Sequence, residues 1–198
     1  MKPEWMKKCP SKYRRSCVGI KYYPLPEELY IEVMKYESRN TLRDRALVAT
    51  LYLLALRISE ALRLRKSQFY RVEGKDYIIV RAIELSKRHK KDKPREVLFR
   101  KEGRLPLSGP RKMFTELILE HLRMLNSEQL LFPFTKYRAW QIVTKMLPCT
   151  NHALRAFGES YLYEEWNYDL LAVSDYIEVD PATLSIYVHS GWKKHKTV

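Results

Sequence analysis

The sequence predicts a mainly helical domain that carries a small antiparallel β-sheet. Several segments have apolar residues at every third or fourth position and capping residues at their ends, as amphipathic helices do. One segment, Ala46 to Leu56, is apolar except for Thr50 and the hydroxyl of Tyr52, which predicts a helix buried on most sides. The β-branched run from Lys75 to Leu85 has the partly alternating pattern of a strand.

The charge of the chain indicates the chemistry of its partner. Its 198 residues correspond to one ordinary domain with a real core. The formal net charge is +14 and the isoelectric point is near 9.7. Solubility requires no such excess of positive charge, so we expect a polyanion as partner. Because the sequence has no apolar segment long enough to cross a bilayer, nucleic acid is favoured over a membrane.

The cysteines indicate the compartment. Cys9, Cys17 and Cys149 form no Cys-x-x-Cys pair and leave an odd number. This pattern favours a reducing compartment and argues against a structural zinc site. The N-terminus has charge without an apolar stretch after it, so no secretory signal is predicted. We therefore expect a cytoplasmic protein.

A basic segment, residues 1–23, precedes the predicted domain. It holds seven lysines and arginines against one glutamate, with four aromatic residues between them. A solvated tail and an arm laid along phosphates both fit this composition. A helix then begins at Pro26 with two acidic residues in its first turn, as the helix dipole favours. Asn40, or Thr41 together with Asp44, is expected to cap the buried helix.

A small hairpin is predicted in the middle of the chain. Lys75 to Leu85 forms its first strand, and Arg95 to Phe99 can return beside it. The residues between them read Ser-Lys-Arg-His-Lys-Lys-Asp-Lys-Pro, which is too polar and cationic for anything but a loop. The hairpin therefore has a basic tip. Gly103 to Pro110 is rich in turn residues and is expected to lead out of the sheet.

Helices make up the rest of the predicted domain. Arg111 to Leu125 has one apolar side, and Thr135 to Leu147 forms the next helix. Thr150 or Asn151 caps a third, which begins with His-Ala-Leu-Arg.

The C-terminal end is predicted to hold one more helix and a tail. Asp180 is an N-cap followed by Pro181 at the first helical position, so a short helix should run to about Val188. Residues 189–198 form a basic tail, and the folded domain is expected to span residues 24–188.

Arg57 is the first candidate for a functional site, because it follows an almost wholly apolar segment. A guanidinium keeps its charge and offers five donors, so it needs an acceptor there. A helix C-terminus, an ion pair with Glu60 or a bound anion would each provide one. His152 and Arg155 lie three residues apart at the start of a predicted helix, where anions are also favoured. Alone, such a pair is more often a solvated helix face.

Four features follow one another along the chain: an arginine in Ala-Leu-Arg-Ile-Ser-Glu-Ala-Leu, a lysine beside a basic hairpin, His-Ala-Leu-Arg at a helix start, and Ser-Ile-Tyr-Val-His near the C-terminus. In this order they resemble the catalytic domain of the tyrosine recombinases, or phage-type integrases. The resemblance runs from about Pro26 to Tyr187. Arg57 and Arg155 are 98 residues apart and Arg155 and Tyr187 are 32 apart, which is similar to family spacing.

The resemblance implies a role for each of these residues. Arg57 and Arg155 match the two catalytic arginines, whose guanidinium groups would hold the scissile phosphate. His152 matches the histidine of the second arginine's motif, and Tyr187 matches the nucleophile. The implied fold is that of the family's catalytic domain.

The hairpin lysine has more than one match. Lys87 best resembles the family's lysine just before the turn, but this loop is longer than usual, so Lys90 and Lys91 stay as alternatives. The cations that we expect to contact DNA are Lys90, Lys91, Lys93, Lys136, Arg138 and Lys145.

The sequence departs from the family pattern at two places. Ile177-Glu178 stands where the family usually has Gly-His, so Glu178 either holds a catalytic arginine or belongs to the surface. Glu60 is a second candidate for such a supporting role. Family members normally carry a DNA-clamping domain before the catalytic one, and only some 25 residues precede the match here. The chain is thus expected to be a fragment or a minimal enzyme.

The resemblance implies a site-specific recombinase that cuts and rejoins double-stranded DNA through a 3′-phosphotyrosyl intermediate. It implies no metal and no cofactor, and a homotetramer on DNA formed from free monomers or dimers. A virus or plasmid of an archaeon is the expected source, and the cytoplasm of a prokaryotic cell the expected location.

Three alternatives stay open. A type IB topoisomerase-like enzyme would nick and close DNA without exchanging strands. A non-catalytic DNA-binding relative is suggested by Glu178 and the missing clamp. A generic basic helical protein would leave the order of the motifs unexplained.

Overall fold

The computed structural model describes residues 24–86, 98–147, 149–167, 169–177, 179–182 and 184–185. Their elements are, in order, α1 (Pro26–Met34), α2 (Thr41–Leu53), α3 (Ile58–Ala61), a 3-10 turn (Lys66–Gln68), β1 (Phe69–Arg71), β2 (Tyr77–Ser86), β3 (Leu98–Pro106), α4 (Lys112–Arg123), α5 (Lys136–Met146), α6 (Asn151–Glu165) and α7 (Leu170–Ile177). The predicted class, mainly helical with a small antiparallel sheet, is confirmed.

Helix α2 is the centre of the core. Every residue from Ala46 to Leu56 is buried, as the apolar run predicts, and α2 packs against α4 and α6. The helix itself ends at its last regular residue, Leu53, which is earlier than predicted. Ala55 adopts a left-handed φ of 49°, and the Leu56 N–H donates back to the Leu51 carbonyl at 3.2 Å. These are the features of a Schellman turn, which stops the helix although no glycine is present.

The N-terminus of α2 differs from the prediction in its capping. Asn40 precedes the helix, but its side chain makes no capping hydrogen bond. Asp44 does not serve Thr41 in a capping box, because it is buried and accepts hydrogen bonds at 2.9 Å from Arg43 and from the Ser38 hydroxyl. The polar groups next to Asp44 therefore override the capping pattern.

The sheet has the strand order β1-β2-β3, and both neighbouring pairs are antiparallel. The antiparallel pairing of the two predicted strands is confirmed, whereas residues 87–97, with the predicted basic tip, lie outside the described residues. Strand β3 continues to Pro106 through residues that the turn composition assigned to a loop. Along β3, Lys101, Gly103 and Leu105 are buried while Glu102 and Arg104 are exposed. This alternation is that of a half-buried strand, and packing of the inward face outweighs the turn composition. Strand β1 was not predicted.

Among the described residues, two apolar clusters hold the fold together. The larger surrounds α2 and includes residues of α1, β2, β3, α4, α5 and α6. The smaller joins Ala55, Leu162, Val173, Ile177 and Leu184. It packs α7, a helix that the sequence pattern did not predict, against α6 and against the turn that follows α2.

The remaining predicted helices are confirmed where they are described. Helix α1 begins at Pro26 with acidic residues in its first turn, and α4, α5 and α6 lie where the apolar periodicity places them. Asp180 acts as an N-cap, since its side chain accepts from the Ala182 N–H at 2.8 Å and its carbonyl from the Leu184 N–H at 2.9 Å. Residues 1–23 and 189–198 lie outside the described residues. None of the helices in the described ranges has the length and hydrophobicity of a transmembrane span.

Candidate phosphate-binding site

Arg57 lies at the turn between α2 and α3, directly after the buried segment. Its backbone N–H donates to Glu60 Oε2 at 2.7 Å, and its Nη1 donates to Glu60 Oε1 at 2.8 Å. The Glu60 side chain is fully buried, whereas 47% of the Arg57 side chain is exposed. The carboxylate therefore holds one edge of the guanidinium, and the rest of the fork faces solvent. Of the three acceptors that the sequence allowed for Arg57, the structure shows the ion pair with Glu60.

Arg155 approaches the same carboxylate from α6. Its Nε donates to Glu159 Oε1 at 2.6 Å, one helical turn further along, and its Nη1 lies 3.9 Å from Glu60 Oε2. Its side chain is only 10% exposed. Arg57 and Arg155, 98 residues apart in sequence, are thus brought to the two oxygens of one carboxylate.

Two buried carboxylates compensate the two arginines. Isolated charges in the interior are costly, and a buried ion group is tolerated when each charge has a hydrogen-bonded partner. Glu60 and Glu159 fulfil this condition for Arg57 and Arg155. The sequence pattern indicated Glu60 and not Glu159, although the position of Glu159 four residues after Arg155 on one helix face was an available signal.

The approach of α6 to α2 sets the position of Arg155. A Cβ on Gly158 would lie 2.1 Å from the backbone oxygen of Tyr52. The two helices therefore touch through their backbones at this point, which only glycine permits. The contact is three residues, about one helical turn, after Arg155.

Thr150 fixes the start of α6. Its hydroxyl accepts from the Ala153 N–H at 3.2 Å, which confirms one of the two predicted caps. The cap satisfies the Ala153 N–H, a donor that the helix itself leaves unpaired. It thereby fixes the turn that carries His152 and Arg155.

Thr150→Ala should lower the free energy of unfolding by about 1 kcal/mol, because the cap bond is lost. For a chain of this size the melting temperature should fall by about 2–4 °C. Thr144→Ala is the matched control, since the Thr144 hydroxyl only bonds back to carbonyls inside α5. Equal melting temperatures for the two variants, measured by circular dichroism, would show that the Thr150 cap contributes nothing.

His152 lies on the first turn of α6, where its side chain is exposed. Within the described part of the chain, no hydrogen bond or ion pair joins it to another side chain. His152 and Arg155 both lie near the N-terminal end of α6, but their burial differs. The arginine is buried against Glu60 and Glu159, and the histidine faces solvent.

Several of the predicted site residues lie outside the described residues: Lys87, Lys90, Lys91, Lys93, Glu178 and Tyr187. The other predicted DNA-contacting residues are on α5. Lys136, Arg138 and Lys145 are exposed there, together with the stacked rings of Tyr137 and Trp140, whose centroids are 5.7 Å apart.

The chain that follows α7 is anchored close to the arginines. Leu184 is fully buried in the smaller apolar cluster, together with Ala55 and Leu162. Ala55 is two residues before Arg57, and Leu162 is on α6, the helix that carries Arg155. The cluster therefore brings residue 184 to the elements that position both guanidinium groups.

The residues described provide no evident metal site. Among them, no three His, Cys, Asp or Glu side chains lie together as a metal ion requires. The carboxylates of Glu60 and Glu159 are engaged with arginines instead.

Comparison with known proteins identifies the fold. No protein-family model matches the sequence, and no curated protein matches it significantly. Among solved structures, the chain is similar to the XerH site-specific recombinase bound to difH substrate in a pre-cleavage complex, with a TM-score of 0.62 and 18% identity over 85% of this chain and 50% of that one. It is also similar to XerH bound to palindromic difH in a post-cleavage complex, with a TM-score of 0.61 and 19% identity over 86% of this chain and 49% of that one.

The chain spans about half the length of these recombinase chains. The match covers most of this chain, and it agrees with the resemblance that the ordered motifs indicate. This chain has the fold of a tyrosine recombinase catalytic domain.

Proposed function

We propose that this protein is a site-specific DNA recombinase or integrase, which cuts and reseals DNA through a covalent 3′-phosphotyrosyl intermediate on Tyr187. The proposal rests above all on one observation: Arg57 and Arg155 meet at the two oxygens of the buried Glu60. A fold shared with recombinases does not by itself establish an activity. The convergence of two guanidinium groups is a property of this chain's own residues.

The arginine pair suits the chemistry of a phosphodiester. In-line attack builds negative charge on the non-bridging oxygens of the phosphate, and fixed cationic donors stabilise that charge most when they are already in place. Glu60 and Glu159 hold Arg57 and Arg155 before any DNA arrives. The exposed edge of Arg57 leaves donors to receive a phosphate.

The proposed reaction balances without a metal. The phenolic oxygen of Tyr187 attacks phosphorus, and the bond from phosphorus to the 5′ oxygen of the next nucleotide breaks. His152 accepts the phenolic proton, and Lys87 protonates the departing oxygen. Attack by a 5′ hydroxyl on the phosphotyrosine reverses these steps and reseals a strand. The ester keeps the bond energy, so no nucleotide cofactor is needed.

The anchoring of Leu184 supports Tyr187 as the nucleophile. Leu184, which precedes Tyr187 by three residues, is buried in the smaller apolar cluster. That cluster includes Ala55, two residues before Arg57. Because Tyr163 and Tyr176 also pack against this cluster, the choice of Tyr187 rests on its match to the nucleophile of the tyrosine recombinases.

The DNA is expected to lie along a basic surface. The net charge of +14 favours a polyanion, and the exposed cations Lys136, Arg138 and Lys145 lie along α5. We propose that double-stranded DNA binds there and that four protomers assemble on two duplexes, since each would supply one tyrosine. The free protein would then be a monomer or a dimer.

The test is covalent capture of DNA. A pool of duplexes with a randomised centre and a nick near it is incubated with the protein in EDTA, so that the short cleaved fragment diffuses away and traps the adduct. Wild-type protein should give an adduct that survives denaturing electrophoresis, and Tyr187→Phe should give none. Tyr70→Phe, which removes a hydroxyl from an exposed tyrosine of β1, is the matched control. An adduct that persists in Tyr187→Phe, or that forms only with a divalent metal, would refute the proposal.

A further inference from the structure

Lys101 is a charged residue on the inward face of the sheet. It occupies one of the buried positions that alternate along β3, and only 8% of it is exposed. A bulge lies opposite, since Val80 pairs with Gly103 and Ile83 pairs with Lys101, and Ala82 within the bulge has a φ of 52°. Bulges change the direction of neighbouring side chains and are frequent beside functional sites.

The Lys101 ammonium touches the turn that leads to Arg57. Its Nζ donates to the Leu54 carbonyl at 3.3 Å, at the C-terminal end of α2 where carbonyls lack helical partners. Strand β3 comes this close to the turn because Gly103 has no side chain: a Cβ there would lie 2.7 Å from the Leu54 side chain. Lys101 thus joins the sheet to the segment that positions Arg57.

The same ammonium also lies against α7. It is 5.5 Å from the centre of the Tyr176 ring, a cation–π arrangement that strengthens where water is excluded. The Tyr176 hydroxyl accepts the backbone N–H of Arg104 at 2.7 Å, an amide on the edge strand of the sheet. Burial raises the pKa of Tyr176 further above neutral pH, which disfavours the phenolate at this position. Tyr176 is therefore held at its ring and at its hydroxyl.

We propose that Lys101 and Tyr176 are positioning residues, which couple the docking of α7 to the geometry of Arg57. The inference rests on the proposed function. Lys101 bonds to Leu54, three residues before Arg57, and it supports Tyr176. Helix α7 in turn leads to Tyr187, ten residues after its last residue. Lys101 is only 8% exposed and the Tyr176 hydroxyl is bonded to Arg104, so both would act through other residues and not by touching the DNA. Together they hold α7, the helix that precedes the proposed nucleophile, in a fixed position relative to Arg57.

The coupling predicts a specific pattern of kinetics. Tyr176→Phe keeps the ring and loses the hydroxyl, and should slow single-turnover adduct formation by about two- to tenfold, the range of one hydrogen bond. Tyr176→Leu loses both contacts and should slow it by about 10- to 100-fold. DNA affinity, measured by fluorescence anisotropy, should stay within about twofold of the wild-type value in both variants. Positioning residues change the rate of the chemical step and not the strength of DNA binding.

A double-mutant cycle tests whether the two residues act together. Lys101→Met keeps the length of the side chain and removes its charge. If Lys101 acts through Tyr176, the Lys101→Met/Tyr176→Leu protein should be clearly faster than the product of the two single effects predicts. Multiplicative effects would show independent roles and would overturn the inference.

Hydrogen exchange gives a readout that does not depend on catalysis. In DNA-free protein, the Arg104 amide should exchange faster in Tyr176→Phe than in wild type, while the amide of the neighbouring core residue Leu105 should not change. Unchanged exchange at Arg104 would contradict the docking contact.

The outcomes separate this inference from the proposed function. If wild-type protein forms the adduct and Tyr176→Leu forms it equally fast, the positioning role is wrong and the recombinase proposal stands. If wild-type protein forms no adduct with the randomised pool, the proposed function fails and the positioning role fails with it.

Discussion

Arg155→Ala should slow adduct formation by about a thousandfold or more. Removing one preorganised donor to a developing oxyanion typically costs about 10²- to 10³-fold, and an arginine on a transferring phosphoryl group costs more. In this chain the loss is compounded, because Arg155 is held by Glu159 at 2.6 Å and shares Glu60 with Arg57. Single-turnover rates with the trapped duplex measure the effect.

Arg155→Ala also removes the charge that compensates Glu159, a residue only 3% exposed. Breaking a buried ion pair in this way costs about 3–5 kcal/mol, so the variant must be shown to be folded by circular dichroism. Arg155→Lys provides the sharper test, since it keeps the charge but cannot reproduce the planar fork. It should stay folded and still lose most of the rate.

Arg123→Ala is the control for the loss of an arginine, because Arg123 is exposed at the end of α4 and, among the described residues, forms no hydrogen bond or ion pair with the arginine pair or its carboxylates. It should react as wild type does. If Arg155→Lys keeps the wild-type rate as well, the guanidinium fork is not required and the role assigned to Arg155 is wrong.

Gly158→Ala should destabilise the fold severely although it adds a single methyl group. The added Cβ would lie 2.1 Å from the Tyr52 carbonyl oxygen, and 3.2 Å from the Tyr52 carbonyl carbon. Both partners are backbone, so α6 must move away from α2 to relieve the overlap. We expect a loss of about 3 kcal/mol or more, and a fall in melting temperature of about 6–12 °C.

Gly74→Ala is the matched control for Gly158→Ala. No atom lies within 4 Å of the position that a Cβ on Gly74 would take, and the φ of 72° adds only the left-handed penalty of about 1 kcal/mol. Because α6 carries Arg155, a partly folded Gly158→Ala protein should also lose adduct formation, while Gly74→Ala should keep it. Equal melting temperatures for the two variants would mean that the helices are not in backbone contact.

The sequence was most informative for features that depend on neighbouring residues in the chain, such as helix caps, apolar runs and ion pairs within one turn. Thr150 was one of two predicted caps, and the apolar run from Ala46 to Leu56 could only be buried. Arg57 and Glu60 are three residues apart across a helix start, so their pairing followed from local geometry. The ordered motifs identified the fold even though no single motif was specific.

The features that the sequence did not reveal depend on distant neighbours. In the sequence, Lys101 looks like any other surface lysine. Its contact with Leu54 depends on the bulge in β2 and on the close approach that Gly103 permits. Gly158 interrupts a helical pattern without indicating what approaches it. Helix α7 has a capping residue in Asp169, whose side chain accepts the Ala172 N–H at 2.9 Å, but its position is set by packing on Ala55 and Leu162. Each requires knowledge of which elements meet, which local pattern does not contain.

The most direct test of the central claim is to locate the DNA on the trapped protein. The adduct is digested with nuclease and protease, and the modified peptide is sequenced by tandem mass spectrometry. If the arginine pair held by Glu60 serves one nucleophile, the nucleotide should be joined to Tyr187 through its 3′ phosphate. A nucleotide on any other residue, or a 5′-phosphate linkage, would contradict the proposed mechanism.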